Sequence, residues 1–198
     1  MCIRDRLTVD ISQNDTTICE SDSLELDVSI NGITQSRNDV ANLTIGDTYQ
    51  GGIVFYLDGN GGGLVAAPAD QAYTDWGCPG EPITGADGIL IGTGMQNTID
   101  IEAGCTTIGT AADVCANLSL GGYSDWFLPS KDELIEMYWN IGIGNTYYLG
   151  NIGGFSNGTY WSSTEQQGNE AWSLQFTNNF FTYQDKDTQN FVRAIRAF

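Results

Sequence analysis

Glycine sets the narrowest limit on what this chain can fold into: 25 of its 198 residues are glycine. Glycine weakens helix interiors and supplies turns, so a loop-rich all-β or α+β fold is favoured over a helical one. The lengths of the apolar runs agree. Tyr160–Ser163, Ala171–Phe176, Phe180–Tyr183 and Phe191–Ala197 are strand-sized. Tyr49–Leu57 reads as one strand, joined through Asp58–Gly63 to a partner at Leu64–Pro68, which makes a hairpin. Three short helices interrupt this pattern. One starts near Asn97 as its cap, a second spans roughly 110–119, and a third runs from Ser130 to about Asn140. The third has the strongest start signal, because Ser130 and Glu133 form an S-x-x-E capping box after Pro129. The class expected is α+β: short antiparallel strands with two or three helices.

The first 45 residues have a different character. Met1–Arg6 is what ATG-TGT-ATA-AGA-GAC-AGN encodes, which resembles a sequencing-library adapter read in frame. On this reading the natural protein continues upstream, and any signal peptide lies there. Leu24, Leu26, Val28 and Ile30 alternate with polar residues before an Asn31-Gly32 turn, as in a half-buried strand. Thr17–Leu24 resembles the Cys-x-Gly-Asp-Ser strand of immunoglobulin-like repeats in large bacterial surface proteins, with Ser21 in place of the glycine. Residues 7–45 therefore read as a fragment of such a repeat, with 33–45 a polar linker, and 46–198 as the main domain.

Charge excludes partners. Twenty-five acidic against seven basic side chains give a net charge of −18, a field that repels phosphate backbones and anionic lipid heads. Neither nucleic acid nor membrane insertion is expected, since no apolar run approaches the ~18 residues a spanning helix needs. The acidity serves solubility, or gathers a divalent cation at some carboxylates. The cysteine spacings fit no zinc pattern, and histidine is absent. Cys78 and Cys105 both sit in loop-like contexts and form the favoured bridge, with Cys115 buried in a helix; sequence alone leaves other pairings open. A bridge would place the chain in an oxidising compartment.

Four segments of the C-terminal half carry a family resemblance: Gly121–Leu134, Tyr160–Glu165, Ala171–Phe176 and Phe191–Phe198. Their order and spacing resemble the C-terminal domain family of Legionella collagen-like protein, a set of bacterial surface domains, over about residues 46–198. More distantly the layout is similar to C-type-lectin-like folds of the formylglycine-generating-enzyme kind. The resemblance implies a lectin-like topology whose last strand pairs with its first, and a secreted or cell-surface location. It also implies that the stretch between the Trp-Ser-Ser motif and the final Val-Arg strand forms a binding face. Sulfated glycosaminoglycans, a ligand within that family, are disfavoured here by the charge.

In that stretch Gln166, Gln167 and Asn169, then Asn178, Asn179, Phe180, Phe181 and Tyr183, interleave amides with aromatics. That is the chemistry of uncharged sugar or protein recognition. These eight residues are the candidate ligand-binding set, and the alternative is two ordinary solvent-facing hairpin loops. Trp126, Trp161 and Trp172, with Trp139 in the third helix, read as core. Arg193 and Arg196 each read as paired with a carboxylate, Asp125 being one partner. Calcium is the one cofactor to consider, with Asp58, Asn60, Asp185 and Asp187 as weak candidate ligands.

Catalysis is not expected. Without histidine no Ser-His-Asp or Cys-His arrangement can be built, and no cysteine follows Cys115 to support formylglycine-type oxidation. Gly92–Asn97 lacks the lysine and third glycine of a phosphate loop and reads as a turn before a helix. Of the paired carboxylates, Glu133 is engaged by the cap and Asp185-Lys186-Asp187 reads as a solvated turn. The function expected is an adhesin-like binding module for a glycan or protein. The alternatives are a structural cap or oligomerisation domain and, behind these, a polysaccharide hydrolase.

Overall fold

The computed structural model describes residues 42–198, together with two short strands, β1 (Val28–Ile30) and β2 (Ile33–Gln35). The chain divides into two compact units, Met1–Asn42 and Leu43–Phe198. In the first, β1 and β2 pair antiparallel, with Ile30 opposite Ile33, so a strand occupies 33–35 where a linker was expected. The adapter-like segment and Cys19 lie outside the described residues.

The second unit is α+β. Its strands are β3 (Thr48–Tyr49), β4 (Gly52–Leu57), β5 (Gly63–Ala66), β6 (Ala72–Thr74), β7 (Thr159–Gln167), β8 (Glu170–Gln175), β9 (Phe180–Asp185), β10 (Asn190–Val192) and β11 (Ile195–Ala197). Three helices lie between β6 and β7: α1 (Gly94–Gly104), α2 (Ala111–Ala116) and α3 (Lys131–Asn140). One sheet runs β11-β5-β4-β3, the other β6-β10-β7-β8-β9, and only β10–β7 is parallel.

The two sheets are stitched where the chain passes between them. The Ala67 amide donates to Ala194 O and the Gln71 amide to Val192 O, so the link from β5 to β6 runs beside the link from β10 to β11. Arg193 fills that junction with its guanidinium fully buried. It donates to Asp70 (2.6 and 3.0 Å), to Ala67 O and to Gly153 O, and lies over the Phe155 ring. Arg196 pairs with Asp125 and donates to Gln50 Oε1. Both arginines therefore pin the last strand, as expected; Asp70 is the partner that sequence did not show.

Central strands are apolar on both faces, as strands with cover on two sides must be. Val54, Val65, Trp161 and Ala194 join one buried cluster with Trp76, Ile101, Ala112 and Trp126. Their neighbours Phe55, Leu64, Tyr160 and Ile195 join the other, with Leu134 and Met137 of α3 and Ile141 just beyond its end. The indole N–H groups of Trp76, Trp161 and Trp126 reach Ser162 O, Thr74 O and Leu120 O, which removes the cost of burying them.

Several local expectations need correction. Tyr49–Leu57 is two strands, not one: Gln50 (φ 47°) and Gly51 (φ 85°) make a two-residue turn with Tyr49 opposite Gly52. β11 pairs with β5 rather than with the first strand, because β4 lies between β5 and β3. The C-terminus still lies beside the domain's start, the Phe198 ring meeting Tyr49 edge-on at 5.0 Å. Asn97 caps nothing; α1 begins three residues earlier, and the Asn97 amide instead donates to Gly88 O and Ser163 Oγ. The α3 capping box forms as expected, with Glu133 accepting from the Ser130 and Gly92 amides. Burial pushes the Glu133 carboxyl up, against those hydrogen bonds. Cys78 and Cys105 are bridged, and Cys115 is a free buried thiol whose titration burial pushes far up.

Candidate functional site

The hairpin of β8 and β9 carries most of the candidate binding residues. All six residues of each strand pair, from Glu170 opposite Asp185 to Gln175 opposite Phe180. Alternation then sorts the side chains, since directly opposed residues share a face. Trp172, Leu174, Phe181 and Tyr183 lie on one face; Ser173, Gln175, Phe180, Thr182 and Gln184 lie on the other.

The first face is aromatic. Trp172 and Tyr183 meet edge-on at 5.6 Å, and Trp172 and Phe181 at 6.5 Å. Lys131, the first residue of α3, holds its ammonium 4.3 Å from the centre of the Trp172 ring and 5.1 Å from that of Phe181. Its place is fixed by its own amide, which donates to Thr164 Oγ1 on β7. Tyr183 is 49% exposed, and Trp172 and Phe181 are half-buried. Trp172 is thus a surface residue, not core. Trp139, 39% exposed, is also outside the core, whereas Trp126 and Trp161 are buried as expected.

The eight candidates do not form one patch. Phe180, 61% exposed, points away from Phe181 and Tyr183. Asn178 and Asn179 form the turn at one end of β8: Asn178 Oδ1 accepts from the Phe180 amide, and Asn179 takes a positive φ. Gln166, Gln167 and Asn169 lie at the other end, a strand length of about 17 Å away at ~3.4 Å per residue. Asn169 donates to Asp185 Oδ1 at 3.1 Å.

Of the weak calcium candidates, Asp58, Asn60 and Asp185 are engaged in local hydrogen bonds, and Asp187 is an exposed turn residue. Asp58 Oδ1 accepts from the Asn60 and Gly62 amides, which closes the β4–β5 turn, and those bonds hold its carboxyl below the usual range. Among the described residues no three histidine, cysteine or carboxylate side chains converge on a metal position. The Asp185-Lys186-Asp187 turn is not solvated throughout. Lys186 is fully buried, paired with Glu165, donating to Glu81 O, and set 4.5 Å from the centre of the Trp76 ring.

Lys131 was the residue missed at this site. Its signal was available: it follows the Ser130 cap, so its side chain starts from a fixed helix terminus. Which strand it faces depended on long-range packing.

These features define an α+β domain of short, mostly antiparallel strands that shows an aromatic and cationic face at one sheet edge. The chain belongs to the Lcl C-terminal domain family, which it matches over residues 84–196. Comparison with curated proteins gives no match. No helix among the described residues is long and apolar enough to cross a membrane.

Proposed function

We propose that this domain is an adhesin-like binding module of a secreted or surface-displayed bacterial protein, recognising a glycan or a protein. The observation that carries the reading is the Trp172–Phe181–Tyr183 face with Lys131 beside it. Aromatic rings at a sheet edge offer flat apolar surface to sugar C–H groups, and the Tyr183 hydroxyl and Lys131 ammonium bind hydroxyls or acidic groups. Family membership and the Cys78–Cys105 bridge support a surface or secreted setting. The role is binding rather than catalysis.

A glycan array probed with the full chain, with calcium and again with chelator, tests it. Binding is expected to fall at least tenfold in Trp172→Ala and Tyr183→Ala, and to persist in Phe180→Ala, whose ring lies on the opposite face. Equal loss in all three variants, or none, would sink the assignment of the face. Loss with chelator alone would add calcium as a cofactor.

A second reading, self-association, is favoured by a separate observation. Trp139, Ile143, Tyr147, Tyr148 and Leu149 are all exposed around the segment that follows α3. Exposed apolar side chains grouped along one segment are a feature of association surfaces. Light scattering on the full chain tests this reading: a mass above the monomer's that Tyr148→Ser abolishes supports self-association through this segment, and a monomer at all concentrations overturns it.

A further inference from the structure

A groove of about 350 Å³ opens between α1, α2 and residues 125–127, built from elements other than the aromatic face. Met95, Ile99 and Glu102 line it from α1. Their spacing of four and three residues puts them on one side of the helix, away from buried Asn97 and Ile101. Ala116 closes it at the end of α2, Asp125 at the mouth, and Trp126 forms a buried wall.

Charge in the groove is unbalanced. Asp125 is neutralised by Arg196. Glu102 has no ion pair and no hydrogen bond among the described residues. The charged group that acts on it is Asp113, itself held by the Gly109 amide and the Asn117 side chain. Desolvation and then Asp113 raise the Glu102 carboxyl, so its charge is uncompensated where it stands. A ligand that supplies a cation and fills the apolar floor would satisfy both features at once. Ligand sites are commonly of this size and composition, apolar with a few directing polar groups.

The geometry points to a small-molecule site in this groove for a compact organic cation, an apolar body carrying one ammonium that pairs with Glu102. The apolar body packs on Met95, Ile99 and Trp126, and the ammonium donates to the carboxylate. Ala116 leaves the room that a larger side chain would take.

Two probes with the same ring separate charge from apolar filling: benzylamine and benzyl alcohol. Each is titrated calorimetrically into the full chain at neutral pH and 150 mM salt, which suppresses diffuse attraction to the acidic surface. Benzylamine is expected to bind at least tenfold more tightly than benzyl alcohol. Glu102→Gln, nearly isosteric and on a partly exposed position, should bring that ratio close to one. Ala116→Leu should weaken both probes at least tenfold, while Trp172→Ala, on the separate aromatic face, should change neither. The proposal is overturned if neither probe binds, if the parent shows no preference, if the preference survives Glu102→Gln, or if it depends on Trp172.

Discussion

A lysine between two aspartates has every local reason to stay in water, yet Lys186 is fully buried. Three contacts make that tolerable: the Glu165 carboxylate, the Glu81 carbonyl and the Trp76 ring face. Glu165 is tied down in turn, since both of its oxygens accept from the Ile83 amide. A buried ion pair is costly to assemble but costlier to halve, because removing one member leaves the other charge desolvated. Lys186→Met is therefore expected to lose about 3–5 kcal/mol. Adding Glu165→Gln should recover roughly 1 kcal/mol or more by removing the stranded charge. Urea denaturation of both variants checks this; a single variant within ~1 kcal/mol of the parent would mean that water reaches the pair. Nothing within a few residues of Lys186 shows this. Glu165 is 21 residues away and Trp76 lies in a different loop.

At the scale of elements, what was legible is what is encoded locally. α3 could be placed because a capping box states its own start, and β8 and β9 because strand-sized apolar runs flank a short polar stretch. The stretch could be chosen as a candidate site, but not which of its side chains share a face: Phe180 lies on the face opposite to Phe181 and Tyr183, while Trp172 and Lys131 lie beside them. Boundaries that depend on distant partners were missed. Gln50-Gly51 is such a case, because its turn faces another across the molecule. A Cβ on Gly51 would lie 2.8 Å from Gly121 Cα, and one on Gly121 would lie 2.6 Å from Gly51 Cα. Both residues also have positive φ, 85° and 66°. Backbone and space thus both demand glycine at this crossing between the β3–β4 turn and the loop before α3. Gly51→Ala should cost more than ~1 kcal/mol, and so should Gly121→Ala. Thermal melts of each read this out, and an unshifted midpoint would show that one of the two loops yields freely.

For the molecule as a whole, the imbalance of charge sets conditions on stability that no single contact reveals. The basic side chains of residues 43–198 are Lys131, Lys186, Arg193 and Arg196. The last three are committed to ion pairs, and Lys131 sits over two aromatic rings. The remaining carboxylates repel one another, and folding brings them closer together. Screening should relieve that repulsion, since the Debye length falls from about 30 Å at 0.01 M salt to about 10 Å at 0.1 M. The thermal midpoint is expected to rise as sodium chloride goes from 10 to 500 mM, opposite to a protein held together by surface ion pairs. Calcium chloride at matched ionic strength separates screening from a bound cation. If calcium acts only as an electrolyte, the two salts trace nearly the same curve, apart from weak condensation on the acidic surface. A calcium shift that saturates at low concentration, far beyond sodium's, would instead require a defined site formed by carboxylates brought together in the folded chain.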